Sequence, residues 1–242
     1  MTLYDFHCHL DLMPSMMDFA DEVRKRNISM LAVTTTPKAY EKEIAFFRSH
    51  KNVKVGLGLH PQLVSERYNE LSLFEKNIRN ADFIGEVGLD FNKQHYSSKE
   101  KQIFVFENII KWCSQIGGKV ISIHSVHSDK LVVDILEKYN CSKENKCVLH
   151  WFSGSMIQLN RAIEMGCYFS VNSFMIQSPN GHKLIPHIPI EKILIESDAP
   201  FINNLSTPQQ LEKEIRGVEM SLCNIFGEKT TDTIHFTSRS LF

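Results

Sequence analysis

A (β/α)8 barrel, an α/β fold, is predicted for this 242-residue chain by three observations. Eight short apolar, β-rich runs occur along it, longer amphipathic runs separate them, and imidazole and carboxylate side chains recur where the apolar runs end. The expected strands are 3–7, 29–34, 53–59, 83–87, 119–124, 146–150, 168–171 and 192–196. Helical periodicity falls on 17–26, 40–48, 71–80, 98–115, 129–138 and 157–165, with a last helix over 208–226. Strands returning through helices pair in parallel, because each return needs a crossover. Eight of them favour a closed barrel over an open doubly wound sheet. The doubly wound alternative also lacks its usual mark: Leu10-Asp11-Leu12-Met13-Pro14, not a glycine-rich phosphate loop, follows the first strand.

Composition narrows the function. The chain is 43% hydrophobic and 23% charged, ordinary for a globular domain, and one barrel over 1–242 is expected. A formal net charge of −1 supplies no global basic field for nucleic acid, so a polyanionic substrate must be met locally. The six cysteines, Cys8, Cys113, Cys141, Cys147, Cys167 and Cys223, form no Cys-x-x-Cys pair and read as reduced thiols. No leader is evident at the N-terminus, and no apolar run approaches the roughly 20 residues that span a bilayer. A cytoplasmic enzyme with no membrane partner is expected.

The chemistry collects at the strand ends, where barrels assemble their sites. The first strand closes on His7-Cys8-His9; residues two apart on a strand share a face, so both imidazoles can reach one ion while Cys8 packs on the other side. The fourth strand carries Glu86 inside Ile84-Gly85-Glu86-Val87-Gly88-Leu89-Asp90. A carboxylate there needs a partner, either metal ions that its two oxygens bridge or a cation across the barrel. The fifth strand ends at His124, the sixth at His150, and the eighth leads through Glu196-Ser197 to Asp198. Each of these alone suits a core histidine or a turn-capping aspartate. Together, four histidines and two carboxylates with no thiolate suit hydrolytic Mg, Mn, Fe or Zn chemistry rather than structural zinc. A set this large can hold two divalent ions about 3.5–4 Å apart.

On these segments the sequence resembles the TatD-like deoxyribonucleases, a branch of the metal-dependent hydrolases. The resemblance is carried by Asp5-Phe6-His7-Cys8-His9-Leu10-Asp11, Gly58-Leu59-His60-Pro61, Gly85 to Asp90, Ile123-His124-Ser125, His150-Trp151-Phe152-Ser153-Gly154 and Glu196-Ser197-Asp198-Ala199-Pro200-Phe201, in family order. It implies a two-metal phosphodiesterase acting on DNA, often as a 3′-to-5′ exonuclease. It also implies roles: His7, His9 and Asp198 on one ion, His124 and His150 on the other, Glu86 bridging, Asp198 as general base and His60 on the substrate phosphate. Val126 stands where the family commonly has arginine, with His127 beside it as a substitute contact, and the C-terminal segment keeps Leu241-Phe242 without the usual asparagine. The segments 151–155 and 166–172 resemble a subgroup encoded in bacterial anti-phage operons, called QatD, which implies defence-operon partners. Small-molecule amidohydrolases and phosphotriesterase-like enzymes share the His-x-His first strand, but many carry a bridging lysine where Glu86 stands. A catalytically silent scaffold is the non-enzyme reading. For stacking bases, Phe91, Tyr96, Trp151, Phe152 and Phe174 are the aromatic candidates.

Overall fold

The structure is a computed structural model that describes residues 2–242. Its eight strands are β1 (Leu3–Cys8), β2 (Ile28–Val33), β3 (Val53–Leu57), β4 (Phe83–Asp90), β5 (Val120–Val126), β6 (Lys146–His150), β7 (Tyr168–Val171) and β8 (Ile193–Ile195). They pair in parallel in chain order, each with the next. The ring closes where β8 runs past β1: Cys8 and Ala199 form a parallel bridge, and the Asp198 N–H donates to the His7 carbonyl at 2.9 Å. Closure removes both sheet edges, and every connection is a crossover, as the alternation of runs predicts.

Side chains of alternate parity fill the barrel. Phe6, Leu31, Val33, Phe83, Val120, Val148 and Leu194 form one buried cluster inside the ring, completed from below by Leu241. Phe242 packs its ring 6.3 Å from Phe6 and 6.2 Å from Phe83, so the terminal Leu-Phe pair plugs the end opposite the site. The other parity, with Cys8, Met30, Ala32, Ile121, Cys147 and Leu149, packs against the helices. Moving up β5, β6 and β8 along the inner parity, Val120 gives way to Ser122 and His124, Val148 to His150, and Leu194 to Glu196. The apolar interior thus becomes polar within one or two residue pairs of the C-terminal rim.

The chain differs from the expected elements mainly near its end. The helix Pro208–Phe226 is present, capped by a box in which Thr207 and Gln210 satisfy one another's backbone N–H groups, but it is followed by a further helix, Thr230–Leu241. That segment, Thr-Thr-Asp-Thr-Ile-His-Phe-Thr-Ser-Arg-Ser-Leu, has too few apolar residues to announce itself; its buried Ile234 and Leu241 hold it under the barrel. Two short helices, Ser173–Gln177 and Pro179–Leu184, also follow β7 without a clear periodic signal. No helix among the described residues is long and apolar enough to cross a membrane.

One acidic side chain sits badly in this core. Glu43, on the helix Pro37–Phe47, is 2% exposed, and neither carboxylate oxygen has a hydrogen-bond partner among the described residues. Burial pushes its pKa up to about 9, Asp11 adds to the rise and Lys42 opposes it. Between the ordinary glutamate range and that value the unfolded chain is ionised while the folded one stays protonated. The stability this group contributes is therefore complete in acid and is lost as pH rises, at about 1.4 kcal/mol per unit for a full proton difference. Glu43→Gln keeps the shape and removes the loss. Chemical denaturation is expected to show the variant more stable than wild type by about 1–3 kcal/mol at pH 7, with the difference closing below pH 5. Equal stability of the two proteins from pH 5 to 8 would refute this account of Glu43.

Candidate metal centre

Six elements deliver the polar side chains to one place. Glu86 lies on β4 at a break in the β4–β5 register between Ile84 and Val87, and His7 lies at a similar break in the β1–β2 register between Asp5 and Cys8. Such irregularities re-aim a side chain that regular pairing would direct elsewhere. The glycines beside Glu86 permit this. Gly88 has φ +145°, and a Cβ there would lie 2.1 Å from the His124 carbonyl oxygen, so only glycine lets β4 approach β5 this closely. Asp198 follows β8 in the left-handed region, φ +47°, a conformation Asp tolerates better than most residues.

Glu86 is the hub. Its Oε2 lies 3.3 Å from His7 Nε2, 3.2 Å from His9 Nε2 and 3.1 Å from His60 Nε2. Its Oε1 lies 2.7 Å from His124 Nδ1 and 3.3 Å from His150 Nε2. Asp198 Oδ1 stands 3.7 Å from His7 Nε2 and 3.6 Å from His9 Nε2, and those two nitrogens are 3.3 Å apart. Two ligands about 2.1 Å from one ion at a tetrahedral angle are separated by roughly 3.4 Å. The separations among His7, His9, Asp198 and Glu86 fall around that value, so this donor set fits a divalent cation. His7, His9 and Asp198 form one group of donors close enough to share an ion; His60, Glu86 and His124 form a second, and His7, His150 and Glu196 a third. His60, read from sequence as a phosphate contact, is thus also within ligand reach of the centre.

The far side of every imidazole but that of His9 is anchored, which fixes the nitrogen that faces the centre. His150 Nδ1 meets both Glu196 oxygens at 3.3 Å, His124 Nε2 meets Asp90 Oδ2 at 3.1 Å, and His7 Nδ1 meets Ser122 Oγ at 2.8 Å. His9 Nδ1 faces Asp11 Oδ1 at 3.9 Å. Glu196 is fully buried and itself held by the Ser170 hydroxyl and by Asn172 Nδ2 at 2.8 Å. Asp5, equally buried, accepts from the Ser197 hydroxyl at 2.6 Å, the Ser197 N–H at 3.0 Å and the His7 N–H at 3.2 Å, tying the ends of β1 and β8 together below Asp198. Sequence reasoning assigned no role to Glu196, Asp90, Asp5 or Ser122. The available signal was a charged residue ending an apolar run, as in Ile193-Leu194-Ile195-Glu196, which the neighbouring Asp198 overshadowed.

Electrostatics follow from burial and crowding. Burial raises the Glu86 pKa, but the His60 and His7 imidazoles and hydrogen bonds from His124 and His150 outweigh it and hold the carboxyl well below its usual range. Burial and the facing His150 push His7 down to about 3, which favours the neutral imidazole, the form able to ligate a metal. Burial raises Asp198 to about 7, against the pull of His150 and His9.

Above the centre opens a cavity of about 460 Å³, lined among others by His9, His60, Glu86, His124, His150 and Asp198. Val126 lines it where a cation was expected from the resemblance, and none of the described lining residues is Lys or Arg. His127 is exposed and is not part of the lining. Of the aromatic candidates only Trp151 reaches the cavity. Phe152 is buried against Phe169, with centroids 5.8 Å apart, while Phe91 and Tyr96 stand together beneath the Lys99 ammonium.

A parallel barrel with clustered imidazole and carboxylate donors at its C-terminal rim defines a metal-dependent hydrolase. Residues 4–238 match the model of the TatD related DNase family, and the chain belongs to that family. It is 30% identical over 214 residues to an "Uncharacterized metal-dependent hydrolase" of Buchnera aphidicola, covering 84% of this chain and 80% of that protein. It is 30% identical over 152 residues to the "3'-5' ssDNA/RNA exonuclease TatD" of Edwardsiella piscicida, covering 60% of this chain and 57% of that one. Its fold is similar to that of YJJV, a TatD homologue from Escherichia coli, with a TM-score of 0.84 at 20% identity over 99% of this chain and 97% of the other.

Proposed function

We propose that this protein hydrolyses DNA phosphodiester bonds as a 3′-to-5′ exonuclease on single strands, using two divalent ions (Mg, Mn or Zn). The observation that carries the reading is the shared position of Glu86, one oxygen facing His7 and His9, the other facing His124 and His150. In this reading His7, His9 and Asp198 would hold one ion and His124 and His150 the other, with the Glu86 carboxylate shared between the two. The ions would lower the pKa of a water and stabilise charge on the phosphate oxygens. Asp198, at the rim beside His7 and His9, would take the proton of the attacking water, and His60 would orient the phosphate. Glu86 in place of a bridging lysine favours this branch over a small-molecule amidohydrolase.

The decisive assay is metal-reconstituted protein on end-labelled single-stranded DNA beside a Glu86→Ala control. Cleavage that begins at the 3′ end and needs Glu86 supports the proposal; internal or 5′ cleavage overturns its polarity, and none overturns the nuclease reading. A cytoplasmic place in anti-phage defence belongs to the same reading, supported by the QatD-like segments 151–155 and 166–172. Phage plaque counts in cells expressing the wild type or Glu86→Ala test it.

With no cationic lining, phosphate contacts must be few. Binding to single strands is expected to weaken with salt at a log–log slope of about −1.5 to −3, from two to four phosphates at about 0.7 each. Titrations in 50–300 mM salt measure this, and a slope near −8 would reveal a basic groove or partner.

A further inference from the structure

We infer that the cavity mouth is a nucleobase slot, with Phe201 and Trp151 stacking the base of an unpaired terminal nucleotide. The inference rests on the nuclease reading above and adds how the site selects its substrate.

Four observations converge. Phe201 is 60% exposed, yet it lines the same cavity as Glu86 and Asp198. Its only ring neighbour among the described residues is His9, edge-on at 5.1 Å, so one face of the phenyl is free to take a planar partner. Trp151 lines the cavity too, held at φ +40°, an unusual conformation for a bulky residue, with its backbone N–H donating to the Ser170 carbonyl at 3.2 Å and its indole braced edge-on by Phe174 at 5.9 Å. Backbone cost of this kind persists where the surrounding structure demands it. Finally, the cavity has no Lys or Arg; beyond its imidazoles and carboxylates it offers Gln62, Ser125 and Ser153 with Val126, and Trp151 and Phe201 as the aromatic rings against which a base can lie.

A site that holds the scissile phosphate at its floor and has no Lys or Arg around it draws part of its affinity from the rest of the nucleotide. Stacking on an aromatic ring provides that without reading sequence, because every base has a π-face. A cavity of about 460 Å³ admits one nucleotide rather than a base pair in its stack. The base must leave its neighbours to enter, which is cheapest at an unpaired strand end. Phe201 and Trp151 therefore act on binding and register, and the donor cluster acts on the phosphate.

The test compares two single-stranded oligonucleotides, one ending in an ordinary 3′ nucleotide and one ending in an abasic residue, with the Mn-loaded enzyme. Removing the terminal base is expected to lower wild-type kcat/KM about tenfold or more. Phe201→Ala and Trp151→Ala are expected to lose about tenfold on the base-bearing strand and far less on the abasic one, with Phe201→Tyr restoring most of the loss. A 3′-terminal 2-aminopurine, bound without turnover in the Asp198→Asn background, is expected to be quenched, and adding Phe201→Ala is expected to relieve the quenching. Equal losses on both strands, or a wild type indifferent to the terminal base, would overturn the slot while leaving the nuclease reading intact. A wild type inert on both strands overturns the nuclease reading and the slot with it.

Discussion

Glu86→Ala is expected to lose hydrolysis by roughly 10³-fold or more, beyond the 10²-fold scale of a missing general base, and to bind divalent metal far more weakly at both positions. Glu86 is within 3.3 Å of His7, His9, His60, His124 and His150, so its removal leaves five crowded imidazoles without the anion that organises them. Two ions brought together there would also lose the negative charge between them. Isothermal titration with Mn or Zn, together with metal content after gel filtration, reads the binding loss directly. Glu86→Gln serves as the folding control, since it preserves volume and one acceptor oxygen. A Glu86→Ala protein that keeps two tightly bound ions per chain would remove the bridge from the proposal.

Asp198→Asn is the second large effect, and it separates proton transfer from binding. The amide keeps the shape and one oxygen near His7 and His9, but it cannot accept a proton. Hydrolysis is expected to fall by roughly 10²-fold or more while affinity for single-stranded DNA stays within a few-fold. Single-turnover kinetics paired with a binding isotherm measure the two quantities on one preparation. Wild-type rates in Asp198→Asn at saturating metal would show that another group takes the proton and would remove Asp198 as the general base.

The sequence made the barrel legible because parallel strands buried on both faces leave apolar runs of a recognisable length. The expected strands at 146–150 and 168–171 coincide with β6 and β7, and the other six differ by a few residues at their ends. The final helix was hidden because Thr230–Leu241 is mostly polar and finds its apolar partners only under the closed ring. The short helices after β7 were hidden for a similar reason, being loop segments folded over the rim.

At the site, residue types at strand ends were enough to name His7, His9, Glu86, His124, His150 and Asp198 as one group of donors. That follows from chemistry: buried imidazoles and carboxylates ending apolar strands need partners, and the inward-facing positions of neighbouring strands in a barrel supply them at one rim. What the sequence could not carry is everything that depends on two strands at once. The register breaks that aim His7 and Glu86 exist only in the pairing of β1 with β2 and of β4 with β5. Asp90 becomes the partner of His124 only when β4 pairs with β5, and Glu196 behind His150 and Ser122 behind His7 only when more distant strands curl into the ring. Phe201 reads as one more apolar residue after Pro200 until β8 returns beside β1 and stands its ring against His9. Periodicity and residue chemistry are local properties of a chain, so they mark the strands, most of the helices and the candidate donors; second partners and cavity walls come from residues as many as 192 positions apart, as Asp5 and Ser197 are, and only closure of the barrel brings them into contact.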